Sequence, residues 1–172
     1  MLKIIKSKPF RWALVVFWLI FIFTMSHLDV AKSWMLTGRV MVAIEKNTVG
    51  TEVNTGGMTE NEEISYYSKS ENERVMILLR KTAHVIEFMG LSMSLIYALM
   101  RTHLVSKSML LSFLISVGYA AFDEAHQLLI SGRTANIRDV GIDSIGVVLG
   151  IILVRIILEV LSKRKGTLAY EN

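Results

Sequence analysis

Four long apolar stretches alternate with polar segments along the chain, at residues 10–26, 81–100, 108–128 and 139–161. A helix rises about 1.5 Å per residue, so each stretch can cross most or all of a hydrocarbon core about 30 Å thick. Charged residues bound or interrupt every stretch, and none contains about 18 uncharged residues in a row. Two interpretations follow: buried helices of a soluble bundle, or membrane helices that carry charge inside the bilayer.

The distribution of basic residues favours the membrane. Residues 1–11, the connection 101–107 and the start of the tail at 163–165 contain Lys and Arg without any acidic residue. Four crossings place all three segments on one side, which the positive-inside rule makes cytoplasmic. The sequence therefore predicts an all-α membrane protein, a bundle of four transmembrane helices in the plasma membrane with both termini cytoplasmic.

The remaining segments fit a single membrane domain over residues 1–172. Residues 27–80 form the predicted extracytoplasmic loop, within which residues 33–46 can form an interfacial helix, and residues 163–172 form a cytoplasmic tail. The first stretch has the basic start of a signal peptide, but no Ala-x-Ala-like cleavage site follows it. We therefore interpret it as an uncleaved anchor.

Composition narrows the possible functions. The chain is 52% hydrophobic and 20% charged, with a formal net charge of +4 and no cysteine. The absence of cysteine excludes disulfides, thiol catalysis and Cys-ligated metal centres. The positive charge lies along one predicted membrane margin, which argues for lipid and against nucleic acid as a partner.

Polar residues of the four predicted helices fall at one depth, in the outer third of the membrane. Counting about 20 residues per crossing brings the following residues to this layer: Ser26, His27, Lys81, His84, Glu87, Asp123, Glu124, Gln127, Asp139 and Asp143. A charge in the bilayer costs about 3 kcal/mol, so these residues should face the bundle interior. Gly146 and Gly150, spaced i, i+4, permit a close approach of a neighbouring helix. In the inner half, Arg155 and Glu159 can pair with each other.

This layer can bind or act on a polar headgroup. Paired carboxylates and imidazoles exchange protons, which gives five catalytic candidates: His84, Glu87, Asp123, Glu124 and Asp143. Guanidinium, ammonium and amide groups can hold a phosphorylated ligand, which gives the binding candidates Lys81, Gln127, Arg133, Arg138 and Asp139. Metal binding by His84, Glu87, Asp123 and Glu124 is an alternative for which the spacing is permissive rather than diagnostic. No motif indicates an organic cofactor.

These residues resemble the VanZ-like family. Residues 80–88 contain Lys81, His84 and Glu87 at the family's Lys-x-x-His-x-x-Glu-aromatic spacing. Residues 122–127, 132–133 and 138–139 resemble its Asp-Glu-x-x-Gln…Gly-Arg…Asp block, and residues 143–150 resemble its closing Asn/Asp-x-x-Gly-x-x-x-Gly. The resemblance implies a small integral membrane protein of the bacterial cell envelope. Founding members of the family are linked to resistance to teicoplanin, a lipoglycopeptide, but no reaction is established for them.

Three functions remain open at this stage. The polar layer can be an outward-facing site that lowers susceptibility to teicoplanin-type glycopeptides, or the site of an enzyme acting on a lipid-linked envelope precursor or phospholipid headgroup. It can also be a structural network that holds the helices together, with Asp139 serving only as a helix cap.

Overall fold

The computed structural model describes residues 7–27, 70–130 and 136–170, together with positions 37, 40 and 57. Within these residues the backbone forms four helices and no strand: α1 (Lys8–His27), α2 (Ser70–Leu99), α3 (Val105–Gln127) and α4 (Ile137–Tyr170). The predicted all-α class is confirmed.

Each of the four helices contains a segment long and apolar enough to cross a membrane. These segments are Lys8–His27, Ile77–Leu99, Val105–Gln127 and Ile137–Lys163. Their outward faces carry exposed large apolar side chains, including Phe17, Leu114 and Ile156. A soluble bundle would cover its outer faces with polar residues, so the exposed apolar surface fits a lipid environment. The prediction of four membrane helices is thus supported, whereas the side on which the termini lie remains a prediction.

Two helices extend beyond the predicted stretches. Helix α2 begins at Ser70, so its first turns lie within the segment predicted as the 27–80 loop. Helix α4 continues to Tyr170, so most of the predicted tail is helical. In α2 the additional residues include the apolar run at 75–79, so the membrane-length segment begins at Ile77, before the predicted start at 81. In α4 the additional residues are mostly polar. Of the expected interfacial helix over 33–46, only Thr37 and Val40 are described, both with helical backbone; the rest lies outside the described residues.

Helix α2 is the centre of the bundle and packs against α1, α3 and α4. The core contains buried apolar residues from all four helices: Val15, Ile22, Phe88, Leu91, Leu95, Ala98, Ala120 and Val147. Among the described helices, the α2–α4 interface is the most extensive. This arrangement places residues of α3 and α4 on two sides of α2.

Glycines allow α2 and α4 to approach closely. A methyl group on residue 146 would lie 2.2 Å from the carbonyl oxygen of Val85, and one on residue 150 would lie 2.7 Å from the carbonyl oxygen of Met89. Contacts this short do not occur between real atoms, so both positions require glycine at the observed helix separation. The close approach inferred from the spacing of Gly146 and Gly150 is confirmed.

Polar side chains inside the bundle bond to backbone carbonyl groups of neighbouring helices. The hydroxyl of Tyr119 donates to the carbonyl of Leu19 at 2.8 Å, which joins α3 to α1. The hydroxyl of Ser112 donates to the carbonyl of Ser92, also at 2.8 Å, which joins α3 to α2. Such bonds satisfy hydroxyl groups that lipid could not, and they fix the rotation of α3 about its axis.

Candidate functional site

Four carboxylates meet inside the bundle at one end, and we refer to Glu87, Asp123, Glu124 and Asp143 as the acidic cluster. They come from α2, α3 and α4, and their exposed fractions are 6%, 1%, 5% and 4% respectively. Carboxylates this buried within membrane-spanning helices are rare and need nearby polar partners. The polar groups that contact the acidic cluster therefore determine which ligands or reactions it can support.

The imidazole of His84 lies between two members of the acidic cluster. Its Nδ1 atom is 3.7 Å from Oε2 of Glu87, one turn further along α2, and 4.0 Å from Oδ1 of Asp143 on α4. The two glycines of α4 bring the helices close enough for this juxtaposition. The result is a carboxylate–imidazole–carboxylate arrangement spanning the α2–α4 interface.

Asp123 connects α3 to α1. Its Oδ2 atom accepts a hydrogen bond from the hydroxyl of Ser26 at 2.7 Å and another from the amide nitrogen of Gln127 at 3.1 Å. Among the described residues, no donor reaches Oδ1 of Asp123 or Oε2 of Glu87 within hydrogen-bond distance. Buried polar atoms normally have partners, so the cluster retains capacity to accept hydrogen bonds.

Two further contacts close the outer side of the cluster. The Nζ atom of Lys81 lies 2.9 Å from Oδ1 of Asp139, and both side chains are about one-third exposed, at 37% and 35%. Oε1 of Glu124 accepts a short hydrogen bond from the backbone N–H of Asn136. The ion pair between Lys81 and Asp139 thus joins α2 to α4. Glu124, on α3, bonds to the residue that directly precedes α4.

The side-chain cap of α4 is made by Asn136, and Asp139 bonds elsewhere. The side-chain oxygen of Asn136 accepts a hydrogen bond from the backbone N–H of Arg138 at 3.0 Å, which is the bond that an N-cap residue makes. The carboxylate of Asp139 bonds to Lys81 instead. Asp139 is therefore available to the site rather than committed to the helix terminus.

A small cavity of about 30 Å³ opens between these groups. It is lined almost entirely by polar side chains: Arg80, Lys81, His84, Glu124, Gln127, Asp139, Ile142 and Asp143. A water molecule needs at least about 10–15 Å³ on this measure, so the cavity admits a water molecule or a single small group. His84 connects the cavity to the buried side of the acidic cluster, because it lines the cavity and also contacts Glu87.

Most predicted site residues meet here. Lys81, His84, Glu124, Gln127, Asp139 and Asp143 line the cavity, and Glu87 and Asp123 adjoin it through their contacts with His84 and Gln127. Arg138 has an exposed side chain and is outside the cavity lining. Arg133 lies outside the described residues. Within the described part of the chain, no group of three or more His, Asp or Glu side chains has the geometry of a metal site.

Three residues were absent from the predicted site. Arg80 lines the cavity, Ser26 donates to Asp123, and Asn136 donates its backbone N–H to Glu124. Ser26 had a usable signal, because the count along the first stretch placed it at the depth of the other polar residues. Asn136 contributes its backbone N–H group. Every residue except proline has this group, so the pattern of side chains could not indicate it.

A comparison with family models assigns the chain to a family. A model described as VanZ/LLP1 matches residues 10–158. The chain belongs to the VanZ/LLP1 family. The match reaches from α1 to α4 and includes the whole acidic cluster and Ser26, whereas the motifs recognised in the sequence covered only residues 80–150. Comparisons with curated proteins and with solved structures found no match.

Family membership and the four apolar helices together make this VanZ/LLP1 chain a multi-pass membrane protein. The buried carboxylates therefore lie in membrane helices. They share one end of the bundle with an imidazole, a lysine and an arginine.

Proposed function

We propose that this VanZ/LLP1 protein binds the polar headgroup of an envelope lipid or lipid-linked precursor at the outer face of the bacterial plasma membrane. Through this binding it lowers susceptibility to teicoplanin-type glycopeptides. The observation that carries the proposal is the polar cavity, where Arg80 and Lys81 stand beside a buried acidic cluster within an otherwise apolar bundle.

The chemistry of the cavity favours a ligand that carries both phosphate and hydrogen-bond donors. Arg80 and Lys81 supply cationic groups suited to phosphate. The free acceptor capacity of Glu87 and Asp123 suits hydroxyl or ammonium groups, which donate hydrogen bonds. Phosphorylated sugars and amino-alcohol headgroups combine these features, and both occur on envelope lipids.

The size of the cavity indicates how such a ligand would enter. At about 30 Å³, the cavity takes one small group rather than a whole headgroup. The Lys81–Asp139 pair is partly exposed, so a ligand can approach it. We propose that the pair opens when the ligand enters, so that Lys81 meets the phosphate while a hydroxyl or ammonium group reaches the acidic cluster.

The test uses isosteric variants that remove a carboxylate charge. We expect Glu87→Gln and Asp123→Asn to return the glycopeptide susceptibility of an expressing bacterium to that of cells without the protein. Membrane levels of both variants should stay normal. Glu159→Gln is the matched control, because Glu159 is exposed and pairs with Arg155 on α4 beyond the core.

Two outcomes would contradict the proposal. If protein levels fall in step with the phenotype, the acidic cluster is a structural network and not a binding site. If Glu159→Gln has the same effect as Glu87→Gln, the location of the site is wrong. Reporters fused after residues 58 and 165 test the outward orientation, which requires them to lie on opposite sides of the membrane.

A second candidate function is acid–base chemistry on the same headgroup. The specific observation is the imidazole of His84 between Glu87 and Asp143, since an imidazole beside carboxylates can take up and release protons. An enzyme would change the profile of lipids or precursors on expression, and His84→Gln would abolish that change. A binding protein leaves the profile unchanged while altering drug binding.

A further inference from the structure

One carboxylate of the acidic cluster faces the polar cavity and accepts no hydrogen bond from the described residues. Asp143 on α4 lines the cavity and is only 4% exposed. Its ion contact is with His84, at 4.0 Å between Oδ1 and Nδ1, which is too long for a hydrogen bond. A buried carboxylate normally accepts hydrogen bonds. Asp143 therefore has acceptor capacity directed at whatever enters the cavity.

The buried carboxylates also outnumber the cations that contact them. Glu87, Asp123 and Asp143 are each at most 6% exposed. His84 contacts two of them, whereas Asp123 accepts its hydrogen bonds from an uncharged hydroxyl and an uncharged amide. When all three carboxylates are ionised, even a protonated imidazole leaves an excess of negative charge, which is costly inside membrane helices. A cationic ligand compensates that charge, and a neutral hydroxyl group does not.

A cation of the protein lies in the same cavity. Arg80 lines it and takes part in none of the ion pairs between described residues. Lys81, by contrast, is paired with Asp139. Arg80 precedes His84 by four residues, so it lies on the same face of α2, about 6 Å along the helix axis. The cavity thus offers a guanidinium about one turn from a buried carboxylate, which matches a zwitterion better than an inorganic cation.

The size of the cavity selects the kind of cation. Its volume is about 30 Å³, and a water molecule needs at least about 10–15 Å³ on this measure. A primary ammonium group has a single heavy atom, as water does, and its N–H groups donate to carboxylate oxygens. A trimethylammonium group is larger and has no N–H donor. The cavity therefore fits a primary amine and excludes choline.

We propose that the cavity recognises a phospholipid whose headgroup carries a primary amine beside the phosphate, as in phosphatidylethanolamine. The ammonium group donates to Asp143, and the phosphate binds Arg80. This inference rests on the proposed function, since it names the headgroup bound at the same site. It makes Asp143 the residue that distinguishes an amine headgroup from a hydroxyl headgroup.

The test measures lipid retention by native mass spectrometry on the full-length protein purified in detergent. The protein is incubated with phosphatidylethanolamine, phosphatidylglycerol or phosphatidylcholine of the same acyl chains, which share the phosphate and differ in the group beyond it. We expect phosphatidylethanolamine to be retained about tenfold more strongly than either of the others, the effect of one charge-assisted hydrogen bond. Soluble O-phosphoethanolamine should bind more weakly than the lipid; equally tight binding would overturn the assignment to a lipid.

A matched pair of variants tests the role of Asp143. Asp143→Asn keeps the shape of the side chain and removes its charge, so it should weaken phosphatidylethanolamine retention about tenfold and leave phosphatidylglycerol retention nearly unchanged. Glu159→Gln removes an exposed carboxylate from the same helix and should change neither. An equal loss of both lipids in Asp143→Asn would mean that Asp143 is structural, and would overturn its assignment. If Asp143→Asn cannot be purified, the comparison of the three lipids on the parent protein still tests the selectivity.

Failure of this inference is distinct from failure of the proposed function. Equal retention of phosphatidylethanolamine and phosphatidylglycerol by the parent protein would overturn the amine selectivity and leave headgroup binding intact. Retention of none of the three lipids would overturn the inference as well. The proposed function is tested separately, by the glycopeptide susceptibility of cells that express Glu87→Gln or Asp123→Asn.

Discussion

Replacing Gly146 by alanine puts a methyl group into the closest contact between α2 and α4. The methyl carbon would lie 2.2 Å from the carbonyl oxygen of Val85, whereas ordinary C–H···O contacts are about 3.3–3.6 Å long. The distance between the methyl carbon and the oxygen would thus be too short by roughly 1 Å. The oxygen belongs to the backbone of α2, which cannot rotate away as a side chain can. The helices must therefore separate along part of their interface.

The expected cost follows from two opposing effects. Inserting a methyl group into a well-packed core costs about 1–3 kcal/mol. Alanine is about 1 kcal/mol more favourable than glycine in a helix interior, which offsets part of that cost. We therefore expect Gly146→Ala to lower the free energy of unfolding by roughly 0–2 kcal/mol, and by about 1–3 kcal/mol relative to Gly141→Ala, which gains the helix propensity without the clash.

The measurement is thermal unfolding of the purified protein in detergent, followed by circular dichroism. Gly141→Ala is the matched control, because it lies on the same helix and a methyl group there would meet nothing within 4 Å. The control should be as stable as the parent protein or more stable, while Gly146→Ala should unfold at a lower Tm. Equal stability of the two variants would refute the close-approach argument.

The same substitution should also disturb the acidic cluster. Asp143 precedes Gly146 by one turn of α4, and its Oδ1 atom is already 4.0 Å from Nδ1 of His84. A separation of the helices of roughly 1 Å, estimated from the C–H···O shortfall, would take this contact beyond ion-pair distance. The proposed function then predicts that Gly146→Ala weakens the effect of the protein on glycopeptide susceptibility, while Gly141→Ala leaves that effect unchanged.

Other predictions concern polar contacts. Ser26→Ala removes a 2.7 Å hydrogen bond to Asp123 and should cost about 1–2 kcal/mol of unfolding free energy, since the acceptor is a buried carboxylate. Thr24→Val, at an exposed hydroxyl that bonds only within α1, is its control in the same thermal assay; an equal loss in both would show that the bond to Asp123 is unimportant. Arg155→Ala should change stability by less than about 0.5 kcal/mol, because Arg155 and Glu159 are 73% and 61% exposed. A larger loss would mean that this ion pair supports the end of α4.

Helix identity was predictable because it depends on local properties. Apolar length, the spacing of charged residues and the spacing of Gly146 and Gly150 are all visible in a one-dimensional pattern, and each has a direct consequence in a bilayer. The residues at which the helices begin and end were harder to predict from the sequence. Helix α2 begins with polar residues at Ser70, and α4 continues to Tyr170 through a largely polar segment, so apolar length does not mark those ends.

The depth of the polar residues was also predictable, whereas their pairing was not. Counting along each helix places Lys81, His84 and Asp139 near one level, but it cannot tell which face of α4 meets which face of α2. The structure pairs Lys81 with Asp139 and places His84 between two carboxylates. These pairings depend on helix rotation, which is set by packing against neighbours rather than by the sequence of one helix.

The sequence by itself determined the class of this protein: four membrane helices, a family resemblance and a layer of charged residues at one depth. The reason is that lipid tolerates buried charge poorly, so hydropathy and charge position constrain topology strongly. Tertiary structure alone decided that Ser26 bonds to Asp123 and that Asn136 rather than Asp139 caps α4. Those features arise between residues far apart in the chain, at distances that only the packed helices fix.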